Sequence, residues 1–175
     1  MNKYTDYHRA LCGEMQKLAE IPNSIFLGQQ CVSEEFYNTL LDIPMHKRRE
    51  MPVAEEMQLG ISIGMALEGY LPISIYQRCD FLMRAMDQLV NHLNLLKELS
   101  RGIHNPKVII RTTVGTKIPF DVGLQHSQDL SRLLEVAVDF PVLVLNTPED
   151  VKKGYDLARN INNSIILIEK QELYQ

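Results

Sequence analysis

Five short runs constrain this chain most: Ser24–Gly28, Leu71–Ile75, Lys107–Arg111, Val142–Leu145 and Ile165–Ile168. They are apolar along nearly their whole length, whereas a strand with one face in water alternates apolar and polar residues. Helical patterns separate them. The spacing predicts helices over Tyr4–Ala19, from Ser33 to about Leu41, and from about Glu55 to Tyr70. Ser33 is read as the cap of the second, with Glu34 and Glu35 in its first turn. The longest helix is expected over Asp80–Ser100, where Leu82, Ala85, Met86, Leu89, Val90, Leu93 and Leu96 make one buried stripe. Thr147-Pro148-Glu149-Asp150 is a complete helix start, with a cap, a first-position proline and two acids facing the dipole. His46–Glu50 reads as a polar loop. The alternation implies an α/β fold in three αβα layers, with a mostly parallel sheet and helices on both faces. Sites in such sheets lie outside the carboxyl ends of the strands, which directs attention to the loops after Ile75, Arg111 and Leu145.

A length of 175 residues suits a single domain over 1–175. The net charge of -4 argues against nucleic acid as a partner, and no run of 18 apolar residues offers a membrane span. The N-terminus has charges throughout and no apolar signal core, so a cytoplasmic location is expected. Cys12, Cys31 and Cys79 are odd in number, widely spaced and without metal-ligand spacing, which reads as idle thiols in a reducing compartment.

Chemistry concentrates between residues 52 and 88. Pro52-Val53-Ala54-Glu55 places a carboxylate at a helix start, and Gly60, Gly64, Ala66 and Gly69 follow before Pro72. Gly60 and Gly64, four apart, share one side of the helix. Each glycine costs a helix interior roughly 1 kcal/mol against alanine, so the pair points to close packing of another backbone. Taken alone, Glu55 is an acid complementing the helix dipole.

The order of carboxylate, glycine-faced helix, short strand and then Phe81 with Ala85-Met86-Asp87-Gln88 resembles the pyrimidine-binding (PYR) domain of transketolase-like thiamine-diphosphate enzymes. It is most similar to the beta subunits of 2-oxo acid dehydrogenases and to deoxyxylulose-phosphate synthases. Gln125-His126-Ser127-Gln128 and the ending Ile168–Tyr174 extend the likeness over most of the chain. The resemblance implies that Glu55 hydrogen-bonds a ring nitrogen of the cofactor's aminopyrimidine, favouring the tautomer that activates the thiazolium carbon. Burial beside the ring would help such a carboxyl to hold a proton. Phe81 matches an aromatic stacked on the pyrimidine. Arg78 and Arg84 flank it, either as cofactor or substrate-anion contacts or as solvated side chains. His126 matches a residue facing the substrate, suited to proton transfer. Ser127 and Gln128 serve equally as caps of the following helix.

The chain departs from the family pattern in three ways. Gly28-Gln29-Gln30 stands where beta subunits carry Gly-Glu-Asp. There is no Gly-Asp-Gly motif for magnesium and diphosphate, so no metal ligand is assigned here. No pyrophosphate-binding (PP) domain or transketolase C-terminal domain is expected in the sequence. These features imply a split enzyme: a PYR subunit whose separate PP-domain partner holds Mg2+ and the diphosphate, in a heterotetramer with two copies of each chain. The substrate would be a 2-oxo acid or a ketose, and an isolated chain would expose an apolar, glycine-lined face. The alternative is a non-catalytic regulatory or scaffold protein with the same fold. A flavodoxin-like module would need a phosphate-cradling loop after the first strand, which Gly28-Gln29-Gln30 does not supply.

Overall fold

The computed structural model describes residues 4–117, 121 and 123–175. Six strands form one sheet: β1 (Ser24–Gly28), β2 (Arg48–Glu50), β3 (Leu71–Tyr76), β4 (Ile109–Val114), β5 (Val142–Leu145) and β6 (Ile165–Lys170). Their order is β2-β1-β3-β4-β6-β5, and every neighbouring pair is parallel. Successive side chains face opposite sides. Ile73, Ile75, Ile109, Ile165 and Leu167 join a core with α1 (Asp6–Ala19) and α7 (Pro148–Asn160). Tyr76, Val108, Ile110, Ile166 and Ile168 join a second core with α3 (Glu55–Leu67), the helical stretch after residue 79 and α6 (Ser131–Ala137). Covering both faces produces the three αβα layers that the apolar runs predict. The start of α7 is also as read, with Thr147 Oγ1 accepting from the Asp150 N–H at 3.1 Å.

Three local readings are corrected. The helix expected after Ser33 is instead a four-residue turn, α2 (Glu35–Asn38), in which every residue has a positive φ between 41° and 61°. Ser33 does not cap it: the residue before the turn is Glu34 and no side-chain cap bond is made there, while the Ser33 backbone N–H donates to Glu50 at 3.2 Å. Phe36, fully buried, locks the reversed turn under Arg111. Tertiary anchoring overrides the local helix signal here. Within the polar loop His46–Glu50, Arg48–Glu50 pairs with β1 as an edge strand; three charged residues carry no apolar signature, and charge is what protects an edge from further pairing. The long helix changes winding along its length: α4 (Cys79–Leu82), a 3₁₀ turn at Met83–Ala85, a π turn at Gln88–Leu93, then α5 (Leu96–Leu99). The wider turn leaves Leu82, Ala85, Leu89 and Leu93 as the buried stripe, while Met86, Val90 and Leu96 only border that core.

Candidate functional site

The site grows from the carboxyl end of β1. A Cβ on Gly28 would lie 2.2 Å from the carbonyl oxygen of Ile75, so glycine is what permits β1 and β3 to pack there. The segment after Gly28 is held by one side chain of β2: Glu50 accepts from the backbone N–H of Gln30 at 2.6 Å, Val32 at 2.7 Å and Ser33 at 3.2 Å. Gln29, just before this clamp, donates its Nε2 to Oε1 of Glu55 at 3.3 Å.

Glu55 is the first residue of α3 and is only 2% exposed. One turn on, Gln58 ties α3 to the sheet by donating to Ile75 O at 2.9 Å and Ser74 Oγ at 3.2 Å. Burial pushes the nearby Tyr76 phenol well up; its bond with Ser74 works against this and the Glu55 charge adds to it. Arg84 Nε stands 3.2 Å from Glu55 Oε2 as an ion pair, yet that buried oxygen receives no aligned hydrogen bond. Arg84 is 72% exposed, so it is held loosely. Both residues line a cavity of about 600 Å³ with Val53, Met57, Gly60, Ile61 and Gln88. A buried carboxyl with one unmatched oxygen, opening on a space of this size, is equipped to exchange a hydrogen bond with a polar ring atom.

The small face of α3 remains open. A Cβ on Gly60 would meet only the Gln88 side chain, at 3.6 Å, and one on Gly64 would meet nothing within 4 Å. Among the described residues no other backbone comes within 4 Å of these positions, which corrects the expectation of close packing as far as the described chain itself goes. Val53, Met57, Ile61 and Leu67 are exposed around the two glycines, which is the apolar face expected of the chain.

The remaining expected site residues gather elsewhere. Phe81 meets the His126 ring edge-on, with centroids 5.3 Å apart and planes at 87°. Neither lines the Glu55 cavity. Arg78 is buried rather than solvated: its Nη1 donates to Tyr37 Oη at 2.5 Å, Gln77 O at 2.7 Å and Thr113 Oγ1 at 3.2 Å. Gly115 joins these groups, since a Cβ there would stand 2.0 Å from His126 O and 3.0 Å from Arg78 Nε. Ser127 and Gln128 do not cap α6. Ser127 donates to Gly123 O and Gln128 to Asp80 Oδ1, while Asp129 accepts from the Ser131 N–H. Burial works to raise the Asp129 carboxyl, but Lys170 and Ser131 hold it below the usual range.

Sequence reasoning missed two features. A cavity of about 630 Å³ lies between Tyr4, His8, Tyr37, Lys117 and Tyr174. It is slightly the larger, and it too has a buried atom without a hydrogen bond, Gln171 Oε1, while His8 Nε2 is engaged with Tyr37 O and Tyr174 Oη with Glu169; the Glu55 cavity is the better candidate because there the atom lacking a hydrogen bond belongs to a buried carboxyl. Arg111 and Glu169 form a fully buried ion pair; only the unusual charges inside two otherwise apolar strands signalled it. Among the described residues no group of three or more His, Cys, Asp or Glu side chains is placed to hold a metal ion, and no helix is long and apolar enough to cross a membrane.

Comparison with known proteins agrees with the fold. The family described as "Transketolase, pyrimidine binding domain" matches residues 14–175. Subunit beta of the pyruvate dehydrogenase E1 component from Gracilaria tenuistipitata is 29% identical over 125 residues, which is 71% of this chain and 38% of that protein. The mitochondrial counterpart of Saccharomyces cerevisiae is 30% identical over 125 residues, or 71% and 34%. The chain thus spans somewhat over a third of the length of these relatives. A solved structure described as "Split gene transketolase, inactive beta4 tetramer" superposes with a TM-score of 0.67 at 17% identity, covering 95% of this chain and 50% of that one, a likeness of fold. With the family match running from residue 14 to residue 175, this chain belongs to the pyrimidine-binding domain family of transketolase.

Proposed function

We propose that this chain is the PYR subunit of a two-chain thiamine-diphosphate enzyme, with Glu55 as the residue that meets the pyrimidine ring. The observation that carries the reading is the buried Glu55 carboxyl at the start of α3, one oxygen unmatched, beside a cavity of about 600 Å³. When bound, thiamine diphosphate supplies a nucleophilic carbon able to cleave the bond next to a 2-oxo group. Glu55 would hold and orient the ring through a nitrogen and keep or release a proton there. Arg84, on the wall of that cavity, would contact the ring; Phe81, expected from the resemblance to stack on it, lies outside the cavity against His126 and would have to turn toward the ring to do so, with Arg78 fixing the loop behind them. His126, seated against Phe81, would face the substrate, a 2-oxo acid or a ketose, and serve in proton transfer. The names of the relatives, beta subunits of an E1 component, support a separate PP-domain partner that carries Mg2+ and the diphosphate. The open apolar face of α3 supports assembly through that helix into a heterotetramer.

A second reading is a PYR-fold protein without activity of its own. One observation favours it: Arg84 already faces the oxygen of Glu55 that a ring would use. The two readings separate on mixing the chain with a PP-domain chain and measuring thiamine-diphosphate binding by calorimetry and turnover of a 2-oxo acid. The expected result is binding and turnover in the mixture, with Glu55→Gln lowering turnover by about 100-fold or more and leaving assembly intact by sedimentation. Full activity of Glu55→Gln overturns the catalytic reading.

A further inference from the structure

Two arginines of this chain are buried and anchored alike, and only one of them meets a carboxylate. Arg111 Nη1 donates to Thr39 Oγ1, the Phe36 ring centre lies 4.6 Å from its guanidinium carbon, and its Nε–Nη2 edge holds both oxygens of Glu169. Arg78, just past the end of β3, is 8% exposed. Its Nη1 donates to Thr113 Oγ1, Tyr37 Oη and Gln77 O, and the Tyr37 ring centre lies 5.7 Å from its guanidinium carbon. Its Nε–Nη2 edge holds nothing: Nε is buried without a hydrogen bond, and Nη2 makes none with the described residues. Among the described residues no acid forms an ion pair with Arg78, and the sequence places no acid among the others. Asp80, the nearest acid along the chain, accepts from Gln128 instead.

A buried cation without a counterion is costly. The Nε–Nη2 edge of a guanidinium matches a carboxylate through two parallel hydrogen bonds. Tyr37 and Gly115, which flank the Arg78 guanidinium, both line the cavity of about 630 Å³. Lys117 and Glu172 line it with opposite charges, so Arg78 leaves that region with an excess of positive charge. We propose that Arg78 binds the carboxylate of a small molecule entering this cavity, taking it on Nε and Nη2 as Arg111 takes Glu169. Because Nε is buried, the carboxylate displaces the segment at Gly115 and His126 that lies beside it. The source that fits is the substrate, a 2-oxo acid rather than an uncharged ketose. That source rests on the reading of His126 proposed above; the site itself does not.

The first test uses the 15N-labelled full chain, titrated with sodium pyruvate, with sodium acetate and with sodium chloride at equal ionic strength. Both carboxylates should move the Arg78 Nε–H signal saturably and chloride should not. Arg111 Nε–H, already held by Glu169, should stay in place as an internal control. Arg78→Lys keeps the charge without the fork and should weaken pyruvate binding by about tenfold. An Arg78 signal that neither carboxylate moves, or that moves equally with chloride, overturns the proposal. The source is decided with the chain paired with a PP-domain partner. There Arg78→Lys should raise KM for pyruvate by about tenfold and leave the Kd for thiamine diphosphate unchanged. If KM is unchanged while the Arg78 signal still responds to both carboxylates, the site stands as one for a carboxylate effector and the substrate assignment falls. Full activity of Glu55→Gln removes the reading of Glu55 and leaves the Arg78 titration as it was.

Discussion

Arg111 on β4 and Glu169 on β6 meet inside the protein with neither side chain exposed, Nε 2.6 Å from Oε1 and Nη2 3.0 Å from Oε2. Tyr155 and Tyr174 donate to the same carboxylate, and Thr39 Oγ1 accepts from Arg111 Nη1 at 2.9 Å. Breaking such a pair from one side leaves a buried charge without its partner. Arg111→Met is expected to destabilise the chain by about 3–5 kcal/mol. Adding Glu169→Gln to it should cost less than the sum of the two single changes, because the residues are in direct contact. Urea unfolding midpoints measure both.

The glycines separate into two kinds. Gly115→Ala pushes a methyl group to 2.0 Å from His126 O, so the segment carrying His126 must shift. The expected cost is about 1–3 kcal/mol, with loss of the Phe81 ring-current effect on the His126 proton signals. Gly64→Ala meets nothing within 4 Å and should raise the stability of the single chain by roughly 1 kcal/mol. Thermal unfolding compares the two directly.

His8 is buried, with Nε2 on the carbonyl of Tyr37 at 2.8 Å. Burial holds its imidazole below 6.5, and the bond to Tyr37 offsets part of the shift. The native chain therefore binds fewer protons than the unfolded chain as the solution is acidified. Stability from this group is intact above about pH 6.5 and falls as pH drops below it. His8→Gln should flatten the slope of unfolding free energy against pH below about pH 6.5.

Burial pushes the thiols of Cys31 and Cys79 up to about 12. Cys12 is half-buried, and its thiol is raised as well. Brief treatment of the native chain with iodoacetamide near pH 8 should modify Cys12 first and leave the other two unmodified until the chain unfolds, as intact-mass measurement would show.

Much of the architecture is legible in the sequence because burial on both faces of a strand is written residue by residue. The runs at 24–28 and 142–145 coincide with β1 and β5, and the cap at Thr147 is a local signal with a local cause. Edge strand β2 is not legible, since Arg48–Glu50 owes its conformation to pairing with β1. Nor is the reversed turn at Glu35–Asn38, which depends on residues far along the chain. In the candidate site, Glu55 and Arg84 come together, as do Phe81 and His126. That these make two separate groups, and that Arg78 is buried beneath Tyr37, follow from side-chain directions that no spacing rule encodes. The contact of Gln29 with Glu55 joins residues 26 positions apart, beyond the reach of any local pattern.

The left-handed turn has a mechanical consequence. Four successive L-residues of this hand cost roughly 1–2 kcal/mol each, and what the turn delivers is two adjoining rings aimed at two different cations. Phe36 lies 4.6 Å from the guanidinium carbon of Arg111, and Tyr37 lies 5.7 Å from that of Arg78; the rings touch edge to face at 5.0 Å. The interior ion pair and the loop bearing the histidine are therefore joined in one line of packing through a pair of neighbouring rings.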